Sequence, residues 1–97
     1  MSLIVLLDSG PLGLITNPRR TVEVIACEEW MARIVAAGAT VCVPEVIDYE
    51  VRRELIHARK VNGLARLDLF VGAEPDRYIA ITTDAMRLAA ELWAQAR

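Results

Sequence analysis

At 97 residues and 10.7 kDa the chain has room for one domain, near the lower end of the size that buries a self-sufficient core. Hydrophobic residues make up 55% of it and the mean hydropathy is +0.34, yet no apolar run approaches the ~18 residues that a membrane span requires. A net charge of −2 excludes nucleic-acid binding through bulk positive charge, and so much apolar surface on so short a chain predicts a face covered by a partner subunit or by further chain.

The first element is the run Leu3-Ile4-Val5-Leu6-Leu7, which reads as a buried strand and stops on Asp8. The run is too short, and too uncharged in front, for a signal peptide, so a cytoplasmic protein is expected. Gly10 to Thr16 continue as a short helical turn, with Pro11 suited to a first helical position and Asn17-Pro18 as its breaker. Thr21 is a plausible N-cap for a helix in which Val24, Cys27, Met31, Ile34 and Val35 recur at helical spacing, and Gly38 ends it. Thr40 to Val43 form a second, β-branched strand. Pro44 opens a helix running to Lys60, Asn62-Gly63 marks a break, and a further helical stretch covers 64–73. Tyr78 to Ile81 give a third strand, and Thr82-Thr83-Asp84 supply cap residues for a last helix up to Arg97. That helix reaches the end of the sequence with no stop signal.

The order β-α-β-α-α-β-α, with strands apolar throughout, predicts an α/β fold: a three-layer α/β/α arrangement with a parallel sheet of about three strands, buried on both faces. Cys27 and Cys42 have neither Cys-x-x-Cys spacing nor a histidine pair, and read as small core hydrophobes in a reducing compartment.

Asp8 is the first candidate functional residue. Ligands of open α/β sheets sit outside the carboxyl ends of the strands, which is where Asp8 falls. Its alternative is a helix cap. On the helix after the second strand, at ~100° per residue, Ile47, Val51, Leu55 and Ala58 form the core stripe. Glu50 falls inside the extended apolar arc between Val46 and Ile47, whereas Asp48 lies at the opposite border and Arg52 points away. An acid in an apolar arc must be neutralised, paired or metal-bound, and Arg53, three residues on, is the available pairing partner for Glu50. Two carboxylates at a strand end and on a neighbouring helix suit Mg²⁺ or Mn²⁺, hard ions that take oxygen ligands and keep sites for water and phosphate. Arg52, Arg53, His57, Arg59 and Lys60 concentrate positive charge on the same helix, with Arg19-Arg20 as a second small patch. The first run is placed to hold phosphates flanking such a site; its alternative is a solvated face. Neither a dinucleotide fingerprint nor a P-loop is present, and a single histidine, His57, leaves little for a Ser–His–Asp triad built on Ser9.

The stretches "IVLLDSGPLGLITNP", "VCVPEVIDYEVRREL" and "YIAITTDAMRLAAELWAQAR" resemble the PIN domain, and especially VapC-type toxin ribonucleases, over Leu3 to Arg97. The resemblance implies a three-layer α/β/α fold and a metal-dependent endoribonuclease, the toxin of a toxin–antitoxin system. Asp8 matches the family's first acid and Glu50 its second, so both are the implied catalytic and metal-holding residues, with Mg²⁺ or Mn²⁺ as cofactor. Arg52, Arg53 and Lys60 are the implied RNA contacts. RNA, an antitoxin protein and a second copy of the chain are the implied partners, with no membrane. Residues 1–97 would then be a single PIN-like domain, the N-terminal two-thirds of a typical one, because the family's third and fourth acids fall in a segment beyond Arg97. Asp84 does not occupy the matching place.

That departure sets a second expectation beside the first: a catalytically inactive, shortened PIN-like module that acts through protein–protein contact or self-association. A receiver-like protein in which Asp8 accepts phosphate is a more distant alternative, since no second acid adjoins Asp8 and no glycine-rich phosphate loop is present.

Overall fold

The structure is a computed structural model in which residues 3–95 are described. The elements, in order, are β1 (Ile4–Leu6), α1 (Ser9–Thr16), α2 (Val22–Ala36), β2 (Thr40–Pro44), α3 (Glu45–His57), α4 (Val61–Gly72), β3 (Tyr78–Ile79) and α5 (Thr83–Gln95). The strands form one parallel sheet in the order β1-β2-β3. Ile4 pairs with Thr40 and Leu6 with Cys42, while Val43 pairs with Tyr78 and Pro44 with Ile79. The α/β class and the parallel sheet expected from the sequence are therefore present.

The core lies between the sheet and α1 to α4. Leu7, Val41 and Val43 from the strand segments meet Leu12, Val51 and Leu67 from three helices, with Trp30, Met31, Ile34, Ile47, Leu55 and Phe70 packed around them. The other face differs from expectation. Ile4 and Leu6 are 65% and 59% exposed, so β1 is covered on one side only. Cys27 and Cys42 are both buried and unbridged, in keeping with their reading as core residues. Burial, with the Glu28 carboxylate adding to it, pushes the Cys27 thiol up.

Local chemistry explains the helix boundaries. Thr21 accepts a hydrogen bond from the Val24 N–H at 3.2 Å and caps α2. At its other end Gly38 adopts φ +97°, the Ala39 N–H reaches the Ile34 carbonyl and the Gly38 N–H reaches Val35. That is a Schellman closure with glycine in the left-handed position. α3 closes in the same way three residues earlier than expected, with Arg59 in the glycine position at φ +57°. The Lys60 N–H reaches Leu55 and the Arg59 N–H reaches Ile56. Asn62-Gly63 is thus no break, but part of the first turn of α4. Gly63 lets α4 approach α3 closely there: a Cβ would stand 2.8 Å from Leu55 Cδ2, and the leucine tip would have to shift to admit it.

A left-handed non-glycine residue costs about 1–2 kcal/mol. Arg59→Gly should relieve much of this, raising stability by about 1 kcal/mol and the melting temperature by roughly 5 °C. A thermal melt measured by circular dichroism checks it; a lowered midpoint would contradict the assigned backbone conformation.

β3 spans two residues, not the four expected. Beyond Ile79 the backbone turns to the Glu45 carboxylate, which accepts from the Tyr78 hydroxyl at 3.0 Å and the Ile81 N–H at 2.9 Å. Thr82 Oγ1 then accepts from the Ala85 N–H at 3.1 Å and starts α5. Every described residue of α5 is exposed. The last two residues of the helix expected at the end of the chain, 96 and 97, lie outside the described residues.

Candidate metal and phosphate site

Asp8 stands where β1 hands over to α1. It is exposed, and its Oδ1 accepts the Ser9 N–H at 2.8 Å, which makes it the N-cap of α1. The helix therefore starts two residues before Pro11, on the carboxylate. Because the side chain faces solvent, its charge carries no burial penalty to be cancelled.

Glu50 also departs from its expected setting. It is exposed, and the buried acid of α3 is Asp48, 6% accessible. The helical-wheel placement of Glu50 inside an apolar arc fails because the arc is not fully covered: Val46, at its edge, is itself 43% exposed. Asp48, placed at the border, is the acid that is buried. Arg52 spans this contact. Its Nε and Nη2 donate to the two oxygens of Asp48, each at 3.1 Å, and its Nη1 donates to Asp68 of α4 at 2.8 Å. The Asp48 hydrogen bond holds the Arg52 guanidinium above the ordinary arginine range, with Asp68 assisting against partial burial. The sequence signal for this bridge was the i, i+4 spacing of 48 and 52.

Arg53, expected as a partner for Glu50, lies instead 3.3 Å from Glu54. Glu50 forms no ion pair among the described residues. It lines a cleft of about 470 Å³ with Ser9, Gly10 and Gly13 of α1 and Val51, Arg53 and Glu54 of α3. Glu50 thus shares a cleft with the two residues that immediately follow Asp8. Asp8 stands at the carboxyl end of β1, and Glu50 is the sixth residue of α3.

Glu45 is a further acid at this edge, one residue past β2. Both its oxygens are engaged by Tyr78 and Ile81. Desolvation, then the Glu45 hydrogen bond, push the Tyr78 phenol above its ordinary value.

Among the described residues no three His, Cys, Asp or Glu side chains gather to hold a metal. The donors on offer are two accessible carboxylates without a cationic partner. Such a set fits Mg²⁺ or Mn²⁺, which accept one or two carboxylates and complete their shell with water and phosphate oxygens. The His and Cys ligands that Zn²⁺ commonly takes do not line this cleft.

The expected RNA contacts separate into two groups. Arg52 is engaged by two acids, and Arg53 neighbours Glu54 on the cleft wall. Lys60 makes no ion pair among the described residues and lies at the far end of the seam with Arg19 and Arg59. Arg20, the other member of the Arg19-Arg20 patch, is bound by Glu28 at 2.6 and 2.8 Å; this hydrogen bond holds the Glu28 carboxyl below the usual carboxylate range. No described helix is long and apolar enough to cross a membrane. Comparisons with protein-family models, with curated proteins and with solved structures found no match for this chain.

Proposed function

We propose that the chain is a PIN-like, metal-dependent endoribonuclease fold of the three-layer α/β/α kind, and that it acts as the toxin of a toxin–antitoxin system on RNA phosphodiesters in the cytoplasm. The observation that carries the reading is an exposed strand-end carboxylate, Asp8, followed directly by Ser9 and Gly10, which line the α1–α3 cleft together with Glu50. When bound, Mg²⁺ or Mn²⁺ supplies a Lewis acid for the phosphodiester and lowers the pKa of water. Asp8 and Glu50 are the residues that would hold it. One oxygen of Asp8 fixes the α1 cap, which anchors the side chain and leaves the other oxygen for the ion. Arg53, on the same wall, offers a guanidinium to the phosphate, while Arg52 holds α3 against α4. The experiment is an RNA cleavage assay with Mn²⁺. Cleavage should be abolished by EDTA and by Asp8→Asn; equal RNA loss with and without metal would overturn the reading.

A second reading, a non-catalytic module that self-associates or binds an antitoxin-like protein, is favoured by α5. At 100° per residue, Leu88, Leu92, Ala85, Ala89, Trp93 and Met86 fill one continuous arc of it, and Arg87, Glu91 and Asp84 fill the opposite one. Trp93 is 77% exposed, and an isolated helix of this length is marginal in water without a surface to cover its apolar side. Under this reading Trp93→Glu or Leu92→Glu should convert an oligomer to monomer in sedimentation velocity, with Asp8→Asn leaving assembly intact. A wild-type chain that stays monomeric at high concentration would count against it.

A further inference from the structure

Beyond the ends of α1 and α3, where α4 begins, lies a second cavity of about 380 Å³, lined by Asn17, Arg19, Arg59, Lys60, Asn62 and Gly63 among others. We infer that this cavity holds phosphates of the RNA backbone, at a fixed distance along the strand from the acidic end of the seam. The inference rests on the proposed nuclease reading and adds to it the place and direction of the bound strand.

Charge is the first argument. Three cationic side chains, Arg19, Arg59 and Lys60, line one cavity and no acid lines it. None of the three makes an ion pair among the described residues, whereas Arg20, Arg52, Arg53 and Arg66 all do. In a chain of net charge −2, three unneutralised cations around one concavity are a local reversal of the molecular field.

Continuity is the second. α1 and α3 both start at the carboxyl edge of the sheet and run away from it. The first cavity takes residues 9, 10 and 13 of α1 and residues 50, 51 and 53 to 55 of α3. The second takes residues 17 to 19 beyond α1 and residues 59 and 60 beyond α3. The two therefore follow one another along the same pair of helices. The eight residues of α1 span about 12 Å at 1.5 Å per residue, which separates an acidic head from a basic tail by more than one phosphate spacing. A single strand laid in the seam meets metal-holding carboxylates at one end and cations at the other.

Arg59 supplies the third. It carries its guanidinium from a left-handed backbone position that glycine would occupy at lower cost, so a charged side chain there comes with a conformational penalty.

The test is fluorescence anisotropy of a labelled single-stranded RNA in EDTA, where no hydrolysis occurs, across a range of salt. Wild type is compared with Arg19→Gln/Arg59→Gly/Lys60→Gln and with a control, Arg33→Gln/Arg87→Gln, that removes two other unpaired arginines. Thermal melts verify that each variant is folded. Loss of three phosphate contacts on single-stranded nucleic acid lowers the log–log salt slope by about 2, and affinity at 0.1 M salt by on the order of a hundredfold. The control should keep the wild-type slope to within its smaller change in net charge. Absence of RNA binding by wild type, an unchanged slope in the triple variant, or an equal loss in the control would each overturn the inference. Cleavage in Mn²⁺ is read separately. Metal-dependent cleavage with a triple variant that binds like wild type would defeat this inference alone. Cavity-dependent binding without any metal-dependent cleavage would defeat the nuclease reading alone.

Discussion

Asp8→Asn is expected to remove metal-dependent RNA cleavage while leaving the fold as stable as before. The two roles of Asp8 separate cleanly in this substitution. Asparagine caps a helix about as well as aspartate, so the Ser9 N–H keeps an acceptor and stability should move by only a few tenths of a kcal/mol. It carries no charge for a divalent ion, however. A bound metal contributes several kcal/mol of charge stabilisation, and each 1.36 kcal/mol is tenfold in rate, so the loss should be about 10²–10³-fold. Asp8→Ala should lose the cap as well, at about 1 kcal/mol. Glu50→Gln, at a side chain with no structural partner, should match Asp8→Asn in activity and leave stability unchanged. Cleavage rates and melts on the same preparations check the pattern. Asp8→Asn cleaving at the wild-type rate would leave Asp8 as a cap and nothing more.

The largest stability effect is expected at Arg52. Removing its side chain strands Asp48 as a buried, unpaired carboxylate and unties α3 from α4. Breaking a fully buried pair costs about 3–5 kcal/mol; Arg52 is one-third exposed, which admits water to the site and brings the expectation for Arg52→Ala down to about 2–3 kcal/mol. Asp48→Asn should cost less, because its amide oxygen still accepts from the guanidinium. Urea denaturation gives both values. A cost for Arg52→Ala within 0.5 kcal/mol, the range typical of surface substitutions, would show that the bridge contributes little.

Much of the fold was readable before the structure because it depends on local chemistry. The strand runs, the Thr21 cap and the Gly38 terminus each follow from residues adjacent in sequence. The errors lie where distant elements decide. The break between α3 and α4 falls at Arg59, a residue with no propensity for the left-handed region, while the Asn62-Gly63 pair that advertised a turn serves the approach of α4 to Leu55. β3 ends early because Glu45, from the neighbouring strand's end, captures its backbone. The exposed Ile4 and Leu6 of β1 depart from the expectation of strands buried on both faces, whereas β2 beside it buries Val41, Cys42 and Val43 on both of its faces.

The candidate site was legible in identity but not in environment. The sequence marks Asp8 and Glu50 as acids in need of neutralising; both face solvent, and the buried acid with a partner is Asp48. A helical wheel ranks positions around a single helix and does not contain the neighbouring elements that decide which border position is buried. Among the cations, Lys60 was selected together with Arg52 and Arg53, on sequence proximity. Pairing distinguishes them, because Arg52 is bound by Asp48 and Asp68 and Arg53 neighbours Glu54, whereas Lys60, beyond the end of α3, makes no ion pair among the described residues.

Titration of the chain with Mn²⁺, followed by the electron paramagnetic resonance signal of the free ion, tests most directly whether residues 8 and 50 act on one ion. Saturable binding by wild type that is lost in both Asp8→Asn and Glu50→Gln, with melts unchanged, is the predicted result. No saturable binding by wild type, or binding that survives either substitution undiminished, would contradict a shared metal site.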